Sequence, residues 1–222
     1  MKQRTALLFG GTGLIGKTLA GELCTSDRYD KILVFTRRDA GFTGEAKIIN
    51  IIVDFNNPES FSGHIRGDDL YICLGTTIKK AGSIQKMEEI DRDLPVKLAI
   101  LAHENGVKRL AVVSSIGANL ASSNYYLRIK GEMERSILEI DFETIAIVRP
   151  SLLLGERNEK RFGESISKII MKAFGFILFG NLKKYRAIEG RDVAKAMIRI
   201  LFEEKGKSIF ESDQVQNIAD QK

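Results

Sequence analysis

The chain predicts a doubly wound α/β fold, a parallel sheet with helices on both faces. Three observations carry that expectation. Short, almost wholly apolar segments alternate with segments of helical spacing from the N-terminus to Pro150. The first apolar segment runs straight into a cluster of glycines, and that cluster runs straight into a helical pattern. The size is also suitable, because 222 residues, 44% of them hydrophobic, can enclose a large core.

Taken in order, residues 6–9 read as a buried first strand and 14–23 as the first helix. Residues 31–36, 47–53 and 70–74 read as strands two to four, and 84–104 as an amphipathic helix. Strand five is expected at 109–113, a helix at 126–139 and strand six at 144–148. Arg149-Pro150 ends that strand, since proline has no N–H to continue a ladder. The texture then changes to a charged loop at 155–161, an apolar stretch at 166–179 and a helix near 192–204. The expected organisation is one domain over 1–222, with 151–222 forming a small C-terminal substrate-covering segment. The apolar stretch with its interspersed Lys168 and Lys172 allows a membrane-surface helix, but a pocket lid or dimer contact is the preferred reading.

The run Leu7-Leu8-Phe9-Gly10-Gly11-Thr12-Gly13-Leu14-Ile15-Gly16 sits where a nucleotide-binding loop sits, between a buried strand and a helix. Two glycine frames overlap, Gly10/Gly13/Gly16 and Gly11/Gly13/Gly16. Either lets the chain turn tightly, brings backbone to a pyrophosphate and packs the helix against the strand. The diphosphate would rest on the free N–H groups at the helix start near Leu14. This makes the expected fold a dinucleotide-binding, Rossmann-type sheet. An acid at the end of strand two would favour NAD through the ribose 2′-hydroxyl, but this chain has Arg37 and Arg38 there. Paired guanidinium groups suit a 2′-phosphate, so NADP(H) is expected over NAD(H). Asp54, closing strand three, is placed to accept from an adenine amino group, and Leu74-Gly75-Thr76 closes strand four beside the ribose and diphosphate.

Tyr126 and Lys130 lie four residues apart on an expected helix and so share a face. An ammonium beside a phenol favours the phenolate, which suits proton transfer near neutral pH. Ser114 and Ser115 follow the end of strand five, where a hydroxyl can meet a substrate carbonyl.

With these stretches together, the chain resembles the short-chain dehydrogenase/reductase superfamily, in particular an atypical branch of Tat-interacting-protein-like NAD(P)-binding proteins. The matching stretches are residues 9–16, Phe35-Thr36-Arg37-Arg38, Cys73 to Thr77 followed by Lys80-Ala81-Gly82, Asp91-Arg92-Asp93, Ser114 to Ala118, Tyr126 to Glu132 and Arg149 to Arg157. The resemblance implies Tyr126 as general acid/base, Lys130 on the nicotinamide ribose and a serine polarising the carbonyl. Ser114 is preferred over Ser115 for that last role, although both stand closer to the tyrosine than is usual in better-known members. It also implies cofactor contacts from Leu153 and Arg161. The expected function is an NADP(H)-dependent reductase of a small carbonyl or related substrate. The alternative is an NADP(H)-binding sensor or regulatory interaction protein of weak turnover; an epimerase would need a larger substrate lobe.

Several classes are disfavoured. The net charge of +5 is mild and scattered, so no nucleic-acid surface is expected. No apolar run reaches bilayer length, the glycine loop follows the N-terminus too closely for a signal peptide, and a cytoplasmic protein is expected. Cys24 and Cys73 have no metal-like spacing with each other or with His64 and His103, so no metal site or disulfide is expected. Either a monomer or a homodimer is compatible with the sequence.

Overall fold

The computed structural model describes residues 4–42, 44–154 and 180–221. Seven strands form one wholly parallel sheet: β1 (Thr5–Phe9), β2 (Lys31–Thr36), β3 (Ile48–Ile52), β4 (Asp69–Ile72), β5 (Arg109–Val113), β6 (Thr144–Arg149) and β9 (Gly206–Glu211). Their order is β3-β2-β1-β4-β5-β6-β9. A two-stranded parallel pair, β7 (Leu153–Leu154) with β8 (Ile188–Glu189), stands apart from it. The expected doubly wound sheet is thus the observed one, extended by a seventh strand.

The apolar strands form this sheet because both of their faces are covered. Alternate residues point to opposite sides. Leu8, Val34, Tyr71, Ala146 and Val148 pack on one face with α1 (Leu14–Thr25) and α6 (Gly190–Glu203), and with Val215 of α7 (Ser212–Asp220). Leu7, Phe9, Phe35, Ile72, Leu110 and Ile147 pack on the other with α4 (Leu94–Glu104) and α5 (Tyr125–Leu138). Short helices α2 (Ile78–Ala81) and α3 (Ile84–Glu88) precede α4.

Two differences from the expected elements matter for the site. The long helix over 84–104 is broken by a π turn at Glu89–Asp93. Strand four stops at Ile72, so Cys73 and Leu74 are loop, freed to line the crevice. That crevice opens between β1 and β4, where chain progress across the sheet reverses and ligands bind outside the carboxyl ends of the strands. Among the described residues no helix is long and apolar enough to cross a membrane.

Candidate nucleotide site

The glycine loop is dictated by backbone contacts. Gly10 has φ +86°, and a Cβ there would lie 2.5 Å from the carbonyl oxygen of Cys73. A Cβ on Gly16 would lie 2.1 Å from the Gly10 carbonyl oxygen. The nearest atom to a Cβ on Gly11 is only a Val34 methyl, so the Gly10/Gly13/Gly16 frame is the one that backbone geometry requires. The Gly13 N–H closes the turn on the Gly10 carbonyl at 2.9 Å. Gly13 then caps α1; among the described residues no side chain caps it, and no acid lies in its first turn. An open helix N-terminus of this kind offers N–H groups and a positive dipole end to an anion. Gly13, Leu14 and Ile15 face a cavity of ≈ 610 Å³. Uncapped N–H groups and glycine-only clearances therefore fit a diphosphate at this point.

The far wall of the cavity is chemical. Asn124 starts α5 by accepting the Leu127 N–H at 3.3 Å, which sets Tyr126 and Lys130 on successive turns of the cavity wall. Lys130 is 2% exposed and its Nζ lies 3.0 Å from Oδ1 of the fully buried Asp91. The other oxygen of Asp91 accepts the Thr76 N–H at 3.0 Å. Burial holds the Tyr126 hydroxyl above its ordinary value; the Lys130 charge pulls it down, Asp91 pushes it up and a hydrogen bond with Ser115 lowers it. The net direction is opposite to that expected from Lys130 alone, because burial and Asp91 outweigh the ammonium.

The two serines have different surroundings. Ser114 is buried and donates to Glu134 Oε1 at 2.5 Å. Glu134 is itself gripped by Arg149 through Nε at 2.9 Å and Nη2 at 2.5 Å, and Arg149 reaches Glu211 at 3.0 Å. The Ser114 hydroxyl is therefore committed to a network tying α5, β6 and β9 together. Ser114 and Ser115 both line the cavity with Tyr126, and Ser115 is the serine whose hydroxyl lowers the Tyr126 phenol. Cys73 also lines the cavity, but burial pushes its thiol up to about 12, which makes it a poor nucleophile.

The remaining expected residues divide by location. Leu74, Gly75, Thr76 and Leu153 line the same cavity, with Leu153 held by its pairing to Ile188. Arg37 and Arg38 are exposed just past β2 and lie off the cavity wall. Their backbone is pinned by Thr36 Oγ1 donating to the Arg38 carbonyl at 2.7 Å, and by Asn50 donating to Thr36 Oγ1 at 2.6 Å. Asp54 is exposed and turned back on its own loop, accepting from the Asn56 N–H and side-chain amide at 2.9 and 2.8 Å. Arg161 and the apolar stretch at 166–179 lie outside the described residues. Asp91 is absent from the expected set, although an acid among Met87, Leu94 and Leu98 at spacings of four, three and four marks a carboxylate on an apolar helix stripe. Among the described residues no group of three or more His, Cys, Asp or Glu is arranged to hold a metal.

Known proteins are similar to this chain in sequence and in fold. The NAD(P)H-binding family profile matches residues 10–204. Rat Protein HTATIP2 is 34% identical over 178 residues, covering 79% of this chain and 72% of its own. The Candida glabrata relative, Protein FMP52, mitochondrial, is 31% identical over 210 residues, covering 94% of this chain and 89% of its own. A short-chain dehydrogenase/reductase superfamily protein from Agrobacterium tumefaciens, solved with bound NAD, superposes with a TM-score of 0.67 at 16% identity, covering 93% of this chain and 77% of its own. That last likeness is one of fold. With the glycine loop, the uncapped helix and the crevice in place, the sequence relatives make the assignment: the chain belongs to the NAD(P)H-binding family that includes the HTATIP2 and FMP52 proteins.

Proposed function

We propose that this protein is an NADPH-dependent oxidoreductase that reduces a small carbonyl or related substrate. The observation that carries the reading is the convergence of Tyr126, Lys130 and Ser115 on one cavity wall, facing the open N-terminus of α1 across the same space. A bound nicotinamide supplies the hydride. Tyr126 donates its proton to the carbonyl oxygen as that oxygen gains charge. Ser115 hydrogen-bonds the same oxygen and orients it, taking the role first expected of Ser114, whose hydroxyl is engaged by Glu134. The Lys130 ammonium stabilises the phenolate left behind and meets the ribose on the cofactor side. Arg37 and Arg38 take the 2′-phosphate, which favours NADPH over NADH. The segment after Pro150, through Ser151 and Leu153, closes the substrate side.

The raised Tyr126 value has a defined consequence for pH. Reduction needs the protonated phenol, and a raised value keeps the proton in place across the neutral range. Reduction should therefore persist at neutral pH and fall only on the alkaline side. NADPH oxidation against a panel of aldehydes, ketones and quinones tests the whole reading. Tyr126→Phe should lose about 100-fold or more of the turnover, the usual worth of a positioned general acid, while NADPH binding is kept. Tight NADPH binding with no turnover across the panel would favour a sensor instead.

A further inference from the structure

Ser151, on the wall of the nucleotide cavity, is held from behind by residues that border a second cavity. Its N–H donates to Ser212 Oγ at 3.2 Å, the Ser212 hydroxyl donates to Ser151 Oγ at 3.1 Å, and Ser151 Oγ donates to the Arg186 carbonyl. Two residues on, Leu153 pairs with Ile188, whose N–H donates to the Leu152 carbonyl at 3.0 Å. Behind these contacts, residues 183–188 and α7 enclose a cavity of ≈ 290 Å³, and Arg186, Ile188 and Ser212 belong to its wall. The reduction as described makes no use of it.

The two walls carry opposite charges. Lys183 and Arg186 stand on one side, and Asp213 and Asp220 line the other from α7. Asp213, Gln216, Asn217 and Asp220 recur at helical spacing, so α7 presents one polar stripe to the cavity. Opposite charges facing each other across so small a space would ordinarily close into a pair. Here, among the described residues, Lys183 and Asp213 have no ion-pair or hydrogen-bond partner, and Asp220 accepts from the Gln216 amide at 3.0 Å. Charges held apart in this way are matched by one solute that carries both signs, with a carboxylate toward Lys183 and Arg186 and an ammonium toward Asp213 and Asp220. A solute of one sign satisfies one wall and faces a like charge on the other. The volume lies at the small end of ligand pockets, about 300 Å³, which suits an amino acid and excludes a dinucleotide. We propose that the cavity between residues 183–188 and α7 is a binding site for a small zwitterion of the free amino-acid class. Its occupancy is transmitted to the 151–153 wall of the nucleotide cavity through Ser212, Arg186 and Ile188.

Each of the twenty amino acids would be titrated to about 10 mM into the full chain, with ¹⁵N NMR following the side-chain amides of Gln216 and Asn217 and the backbone amides of Ser151 and Leu153. At least one should move the Gln216 and Asn217 signals saturably, with a dissociation constant of about 1 mM or below. Its amide, which lacks the negative charge, and its desamino acid, which lacks the positive one, should each bind at least about tenfold more weakly. Lys183→Gln and Asp213→Asn should each weaken binding about fivefold or more. Lys184→Gln should not, since that ammonium lies over the Tyr185 ring at 5.5 Å. Lys183 is exposed, so its replacement leaves folding intact. The Ser151 and Leu153 signals should move with the same midpoint as those of Gln216 and Asn217. No saturable shift with any of the twenty, or an amide or desamino acid binding as tightly as its parent, would overturn the site. Silent Ser151 and Leu153 signals at saturation would overturn the coupling. Neither NADPH nor turnover enters these readouts, so failure of the reductase reading and failure of this proposal remain distinguishable.

Discussion

Arg37 and Arg38 are exposed at the end of β2, and among the described residues neither guanidinium has an ion-pair or hydrogen-bond partner. The backbone beneath them is nevertheless held by Thr36 and Asn50, so the two charges have a fixed base and free tips. That suits recognition of a phosphate. Replacing both by glutamine should weaken NADPH binding by about 10- to 100-fold, the worth of one or two charge-assisted hydrogen bonds, and change NADH by less than about threefold. Calorimetric titration with each nucleotide checks this, and an equal loss for both would sink the phosphate role. That the glycine loop, Tyr126 and Lys130 meet at one cavity was legible, because each belongs to a short motif whose spacing is its signal, whereas Arg37 and Arg38 lie off that wall. The engagement of the Ser114 hydroxyl was not legible, because Glu134 and Arg149 are distant along the chain and reach it only after folding.

Among the elements, the glycine loop with α1 offers a controlled comparison. Gly16 admits no Cβ, since the nearest atoms at 2.1 and 2.7 Å are backbone and cannot swing aside. Gly21 lies on the exposed side of the same helix with nothing within 4 Å. Gly16→Ala should therefore lower stability by about 1–3 kcal/mol or more through overpacking, and weaken NADPH binding because the loop must shift. Gly21→Ala should raise stability by about 0.5–1 kcal/mol, because an exposed helical glycine gives up more backbone entropy on folding than alanine. Urea denaturation of both proteins would test the pair, and a stabilising Gly16→Ala would contradict the close packing. Elements with strong periodicity were legible to within a residue or two. The π turn was not, because the apolar spacing across 84–104 stays helical through it. Nor was β9, whose Gly206–Glu211 stretch is half exposed at the sheet edge and lacks the apolar run that marked its neighbours.

Across the whole molecule, the two ends of the sheet do different work. The carboxyl ends of the strands carry the cavity, whereas a buried polar network sits toward the amino ends. There Tyr29 donates to Asp69 at 2.6 Å, its hydroxyl lies 2.7 Å from that of Tyr71, and Arg109 meets Asp69 at 2.5 Å. Phe202 underlies the guanidinium groups of Arg4, Arg28 and Arg109 at 4.5, 4.2 and 5.1 Å. Burial is the largest cause holding the phenols of Tyr29, Tyr71 and Tyr126 above their ordinary value, with the Asp69 charge adding to the first two. A neutral phenol whose value is raised in the folded state binds its proton more tightly there than when unfolded. Each therefore contributes stability that is fully present below the unfolded value, about 10, and is lost as pH rises through the folded one. The urea midpoint should accordingly be unaffected by these groups through the neutral range and fall above about pH 10. Tyr29→Phe should lower stability at pH 7 by about 1–3 kcal/mol, since Asp69 Oδ2 loses its donor in a buried site. The same variant should show a shallower alkaline fall, having one fewer raised phenol to ionise. Urea midpoints of both proteins between pH 7 and 11 measure the two effects together, and an alkaline slope identical in wild type and variant would mean that Tyr29 does not hold its proton in the way its burial requires.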